Sequence, residues 1–473
     1  MARLAIRSPR RAAAVAFGIA GILMVTVSGG YVLAGRIEMS RTPRTSTSAT
    51  FPDGFLFGTA TAAHQVEGDN RNNDYYEWET EGRTPVAGAA DDEYHRYDED
   101  FGIASSLSQN AFRLSIEWSR IEPAEGVFSE SEVAHYIAVL TDARAHGLKT
   151  FVTLHHFTNP IWAADRGGWA NDDMVRWFSD YVAYLVPRIG GLVDYWLTVN
   201  EPNGNAFTGY LVGATPPGKT DVALTGRVLA NYLKAHAAAY HLIHASFPTA
   251  LVSLAEHFRI LDPARWWDPA DKLMADILSS FFNDQPLDAL VTGHLRLFVP
   301  TLLDIEEDVW TLKGTLDFIG VNYYTRSVVR TDASQPEGFR LENMPDAAVS
   351  ASDEEIYPAG LYRVLLSLRR YALPLFITEN GIDDPTDALR SSFICDHLAA
   401  VAAAMADGAD VRGYLYWSLI DNYEWTRGYT PKYGLAAVDF ATERRTLRPS
   451  AAVFSAIART RSLEPCAAPT RSP

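Results

Sequence analysis

Leu375-Phe376-Ile377-Thr378-Glu379-Asn380-Gly381 is an apolar run closed by a carboxylate and an Asn-Gly turn. Such a run reads as a fully buried strand with its glutamate at the C-terminal end. Tyr195-Trp196-Leu197-Thr198-Val199-Asn200-Glu201-Pro202 repeats the plan, with Pro202 as the breaker. A single strand-end glutamate ordinarily caps its strand in solvent. Two on matched strands can instead converge on one cleft.

Working outward, strand and helix patterns alternate from Phe51 onward. Strand candidates start at Phe55, Ala111, Thr150, Tyr195, Leu251, Asp317, Leu375 and Gly413. Between them run helical patterns near 129–146, 226–247, 270–292, 361–372, 388–407 and 450–459. The clearest is the stripe of Met174, Trp177, Phe178, Tyr181, Val182 and Leu185, which has the spacing of one buried helix face. Eight strands alternating with helices, and no glycine-rich dinucleotide fingerprint after the first, predict an α/β fold: a single (β/α)8 barrel over 51–461. The polar segment 326–358 reads as a long loop on the barrel's active face. Residues 462–473 read as a disordered tail.

Composition narrows the function. Forty-one basic residues against 58 acidic ones give a net charge of −17, which excludes nucleic acid as an electrostatic partner. Cys395 lies in a helical pattern and Cys466 in a polar tail, so neither a disulfide framework nor a thiolate metal site is expected. At the N-terminus, four arginines (Arg3, Arg7, Arg10 and Arg11) precede an apolar run from Ala12 to Gly35. That run is longer than a signal-peptide core and suits a single span of about 20 residues. Residues 1–35 are therefore expected to be an export segment, an uncleaved anchor in preference to a signal cleaved near Val32-Leu33-Ala34. The arginines keep that end in the cytoplasm and place the body outside. A flexible tether, rich in Ser, Thr and Arg, covers 36–50. Nothing in the pattern addresses oligomeric state.

In a barrel, chemistry sits at the C-terminal ends of the strands. Glu201 ends the fourth and Glu379 the seventh, so the two can face each other across the mouth. Paired carboxylates ~5–5.5 Å apart are the machinery of a retaining glycosidase. The motifs FLFGTATAAHQVEG (55–68), FRLSIEWSRIEP (112–123), TLHHF (153–157), TVNEP (198–202), IGVNYYT (319–325), ITENG (377–381) and WSLIDNYEWTRGY (417–429) together resemble glycoside hydrolase family 1, the β-glycosidases, across nearly the whole chain after Phe51.

The resemblance implies Glu379 as nucleophile and Glu201 as acid/base. Arg113 and Tyr324 would hold Glu379 ionised through charge-assisted hydrogen bonds. Beside that anion, Glu201 is expected to keep its proton until Glu379 is esterified. Gln65, His156, Asn200, Glu424 and Trp425 match sugar-binding positions, Trp417 the floor beneath the ring, and Asn322 an orienting role. His155 is left in the wall. No third ligand accompanies the two histidines at metal spacing, so no metal is expected, nor any cofactor.

Two features bear on specificity. Phe157-Thr158-Asn159-Pro160 stands where the family has Trp-Asp-Leu-Pro, which alters one wall. Glu424 keeps a carboxylate where a phosphorylated sugar would need positive charge. The expected activity is that of a retaining exo-β-glycosidase on a terminal β-D-glucosyl residue, with β-galactosyl and β-fucosyl as related sugars and a β-linked glycoside as partner. The alternatives are a membrane-associated transglycosidase, which the N-terminal segment motivates, and a noncatalytic sugar-binding relative, against which both glutamates are present.

Overall fold

The computed structural model describes residues 49–335 and 338–467. The expected export segment, nearly all of the tether and the last six residues lie outside these. Among the described residues no helix is long and apolar enough to cross a membrane.

Eight parallel strands form the barrel: β1 Leu56–Ala60, β2 Ala111–Ser115, β3 Lys149–Thr153, β4 Tyr195–Asn200, β5 Leu251–Pro263, β6 Ile319–Thr331, β7 Leu375–Asn380 and β8 Val411–Trp417. Each pairs with its neighbour in chain order, and β8 pairs with β1, so the sheet closes without an edge. Leu56, Ala111, Phe151, Leu197, Ala255, Phe318, Phe376 and Leu415, one from each strand or its approach, form a buried apolar layer inside the barrel. Phe151 stacks on Tyr195 at 4.2 Å between ring centroids. This plug fills the lower barrel and leaves the polar residues that follow it on the strands to line the mouth.

The stripe from Met174 to Leu185 is buried on the helix Met174–Ile189. The helix Val222–Ser246 begins where Asp221 caps it by accepting from the Leu224 N–H at 3.0 Å. Expected helix 270–292 is instead Pro269–Ser279, a wider π-helical turn Ser280–Asp284, and Gln285–Thr292.

Three expectations are corrected. The segment 326–358 is not one long loop, because β6 runs on to Thr331 and Phe339–Glu342 returns antiparallel to it. β5 extends alongside to Pro263, so a ribbon rises beyond the barrel mouth. Arg326 holds it, pairing with Glu355 and with Asp262 at 3.4 Å. The region after Ser462 is ordered as far as Ala467: Thr50 bridges Ser462, Leu463 N–H donates to Ala49 O at 3.0 Å, and Glu464–Ala467 form a helical turn. That return carries Cys466 to the helix Arg390–Ala406, where it forms a disulfide with Cys395. The pairing spans 71 residues, and only the folded path of the chain brings the two thiols together.

A cross-link over such a loop restricts the unfolded chain. Cys395→Ser is expected to lower the unfolding free energy by about 2–4 kcal/mol, read by denaturant titration. The reduced wild type should match the variant.

Candidate active site

Glu201 and Glu379 both stand at strand ends on the mouth of the barrel. Glu201 occupies the step from β4 into the short helix Pro202–Ala206, with φ 45° and ψ 58°. A non-glycine residue in this left-handed region is strained and needs support. Support comes from Glu201 N–H donating to Ala255 O at 2.7 Å and from Asn205 N–H donating back to Glu201 O at 2.8 Å. The next turn must also stay small: a Cβ at Gly204 would lie 2.9 Å from Glu201 Oε2.

Arg113 fixes the other carboxylate. Its buried guanidinium donates to Glu379 Oε1 at 2.6 Å, to Thr378 O at 3.1 Å and to Asn200 Oδ1 at 2.7 Å. Tyr324 OH donates to Glu379 Oε2 at 2.6 Å, so both oxygens of Glu379 are held. Asn322 links the two halves, donating to Asn200 Oδ1 at 3.0 Å and to Glu201 Oε1 at 2.9 Å. Thr378 orients Asn322 by donating to its Oδ1 at 2.7 Å.

The remaining positions continue the same network. Asn200 Nδ2 lies 3.2 Å from His156 Nε2. Burial, with Arg113 adding, holds His156 well below the ordinary histidine value, so a neutral ring can accept from that amide. His156 stacks between Trp417 and Trp425 at centroid distances of 6.1 and 6.0 Å. Trp417 Nε1 donates to Glu424 Oε1 at 3.1 Å, and Gln65 Nε2 reaches Glu424 Oε2 at 3.4 Å. All eleven expected site residues therefore meet in one cleft. His155 sits in the wall, against Asn159 and Trp169. In the altered wall, Phe157 packs on Trp425 at 5.1 Å, while Thr158 and Asn159 turn away to Glu117 and Asp74.

His257, which the motifs do not single out, changes the electrostatics. Its Nδ1 lies 3.2 Å from Glu201 Oε2. Burial works to raise Glu201, but the attraction and hydrogen bond of His257 outweigh it, with Asn322 and Arg113 adding, so Glu201 is held below the ordinary carboxylate value. Burial raises Glu379; Arg113 pulls it back in part and the charge of Glu201 adds to the rise. Like-charge repulsion couples the two carboxyls, so their protons leave in two steps that belong to the pair. A polar residue at the inward end of a strand was the signal available in LAEH (254–257), the same signal that marked the glutamates.

The glycosyl hydrolase family 1 model matches residues 47–463. The chain belongs to that family. It is 30% identical over 448 residues to a 1,4-β-D-glucan glucohydrolase of Thermotoga neapolitana, covering 87% of this chain and 99% of the relative. A galactolipid galactosyltransferase of Arabidopsis thaliana is 34% identical over 76% of this chain and 56% of its own length. Among solved structures, a β-glycosidase from Pyrococcus horikoshii superposes with a TM-score of 0.79 at 37% identity, covering 88% of this chain and 96% of that one. The family 1 chain is a β-glucosidase-like glycosyl hydrolase.

Two measurements probe its charges. His257→Asn takes away the attraction and hydrogen bond that lower Glu201, so Glu201 is expected to lose its proton at higher pH than in the wild type, read from the basic limb of kcat/KM. An unmoved limb would detach His257 from Glu201. Burial also pushes Glu424 up to about 8 from an ordinary 4.5, against the opposing hydrogen bond of Trp417. Because the folded value exceeds the unfolded one, this contribution is fully present below 4.5 and lost as pH rises through about 8. Asp74, pushed up to about 7 by burial, adds to the same slope. Glu424→Gln should therefore show a shallower fall of unfolding free energy with pH across that window than the wild type.

Proposed function

We propose that the chain removes terminal non-reducing β-D-glucosyl residues, with β-galactosyl and β-fucosyl as accepted relatives, by double displacement with retention. The observation that carries this reading is the grip of Arg113 and Tyr324 on the two oxygens of Glu379, with Glu201 tied to the same network through Asn322. A carboxylate so fixed is aimed and has little reorganisation left to do.

In the first step, Glu379 attacks the anomeric carbon as the bond to the aglycone oxygen breaks, and Glu201 gives that oxygen a proton. Asn322, donating to Glu201 Oε1, and His257, beside Oε2, hold the carboxyl in place for this step. In the second step water adds to the glycosyl-enzyme, Glu201 takes its proton and Glu379 is released. Both half-reactions run on carboxylates and water, and the reading calls on no cofactor or metal. Asn200 offers its amide to the 2-hydroxyl, where contacts strengthen at the transition state. Gln65, His156, Glu424 and Trp425 take the other hydroxyls, above the ring of Trp417.

Export of the catalytic body is part of this proposal, with an N-terminal anchor in preference to a cleaved signal. The disulfide between Cys395 and Cys466 supports it, since such bonds persist in oxidising compartments. A second reading, transfer of the sugar to an alcohol or lipid acceptor, draws on the likeness to the Arabidopsis galactolipid galactosyltransferase. It uses the same covalent intermediate and differs in what reaches it, so product analysis with and without an added acceptor separates the two.

Glu379→Ala is expected to lose turnover, with added azide yielding the inverted α-glycosyl azide, followed by NMR of the product anomer. Glu201→Ala should spare the first step for activated phenol leaving groups, and azide should then yield the β-product. Wild-type-like activity in Glu379→Ala, or damage in Glu201→Ala that is indifferent to leaving-group acidity, would remove the assigned roles.

A further inference from the structure

Arg259 takes no part in the reaction described above. It follows His257 by two residues on β5, where the pairing with β6 shifts register between Phe258 and Ile260, so Arg259 stands at a bulge on the ribbon that rises beyond the barrel mouth. His257 itself reaches Glu201, and Arg259 lies within electrostatic range of the same carboxylate.

Its surroundings are unusual for an arginine. The residue is partly buried, its Nε is enclosed without a hydrogen-bond partner, and among the described residues its guanidinium makes no ion pair. Burial pulls it below the ordinary arginine value. The backbone holds it in place nonetheless: Arg259 N–H donates to Asn283 Oδ1 at 3.0 Å, and Arg259 O accepts from Asn283 Nδ2 at 3.0 Å.

Arg259 interacts with Glu354, Arg427 and Glu201 at longer range. Glu354 is already engaged, accepting from Tyr433 OH at 3.1 Å and lying 3.9 Å from Arg427 Nη2. Glu354 thus has its own partners, and among the described residues no carboxylate pairs directly with Arg259. A chain of net charge −17 has no general excess of basic groups to account for this. The enclosed Nε is a charged donor with no acceptor among the described residues, which is costly unless a ligand supplies an anion.

We propose that Arg259 is the anion-binding element of the leaving-group subsite, and that the natural aglycone or acceptor carries a carboxylate, sulfate or phosphate near its glycosidic oxygen. The proposal rests on the β-glycosidase reading, which puts the leaving group on the side of Glu201. It assigns the planar fork of Arg259 to the paired oxygens of such a group.

The test compares kcat/KM of the full-length chain on two phenyl β-D-glucosides, one bearing a carboxymethyl and the other a carbamoylmethyl group at the same ring position. The methylene keeps the two phenols close in acidity, so charge is the main difference. The carboxylate is expected to be preferred by about tenfold or more at low ionic strength, as a charge-assisted contact would give. The preference should shrink with added salt. In Arg259→Met the ratio should fall to about one, and in Arg259→Lys it should return in part, in proteins whose thermal unfolding matches the wild type. Equal turnover of the two glucosides by the wild type, at every ring position tried, would overturn the proposal without any variant. An undiminished preference in Arg259→Met would do the same. Turnover of neither glucoside would instead overturn the glycosidase reading, and the proposal with it.

Discussion

The structure depends on one buried cation. Arg113 enters from β2 and donates to Thr153 at the end of β3, to Asn200 at the end of β4, and to Thr378 and Glu379 on β7. A guanidinium withdrawn from water is tolerable only when its donors are matched, and removing one partner of such a pair ordinarily costs about 3–5 kcal/mol. The same bonds that satisfy Arg113 aim Glu379 and fix Asn200. Stability of the barrel mouth and geometry of the chemistry therefore rest on one set of contacts.

Around that centre the cleft divides by charge. On the proposed sugar side, burial keeps Glu424 and His156 toward their neutral forms, and Trp417 and Trp425 give flat apolar faces. On the side of Glu201 stand His257 and Arg259. Neutral donors and acceptors beside aromatic rings suit sugar hydroxyls and C–H faces. Charged groups suit proton movement and ionic recognition. His257 stands at the border, its Nδ1 3.2 Å from Glu201 Oε2. Gly204 makes that contact possible, because a Cβ there would also crowd His257 Nδ1 at 3.3 Å.

Most of the barrel was legible because each barrel strand is apolar and ends in turn chemistry or a polar residue. Candidates such as LFITE and AFRLSI coincide with β7 and β2. The two glutamates were legible at strand ends, the other nine site positions through the resemblance to glycoside hydrolase family 1, and they meet because a barrel collects strand ends on one face. What escaped was whatever depends on a strand's continuing past its expected end. β5 and β6 run on as a ribbon, and Phe339–Glu342 joins it, in a stretch whose Gly, Pro and Asn content reads locally as loop. His257 and Arg259 lie on that continuation, which is why the motifs passed over them.

The sequence by itself determined the parallel barrel, the two glutamates and their supporting arginine and tyrosine. The strands and the glutamates at their ends follow from local pattern written within a few neighbouring residues, and the arginine and tyrosine from the family motifs that carry them. Only the tertiary structure decided the pairing of Cys395 with Cys466, the imidazole beside Glu201, and the place of Arg259 on the ribbon beyond it. Each of these depends on which distant atoms lie within a few ångströms. The disulfide joins residues 71 apart, and His257 lies 56 positions from Glu201 yet 3.2 Å away. Coulomb and hydrogen-bond energies fall off with distance in space, not along the chain.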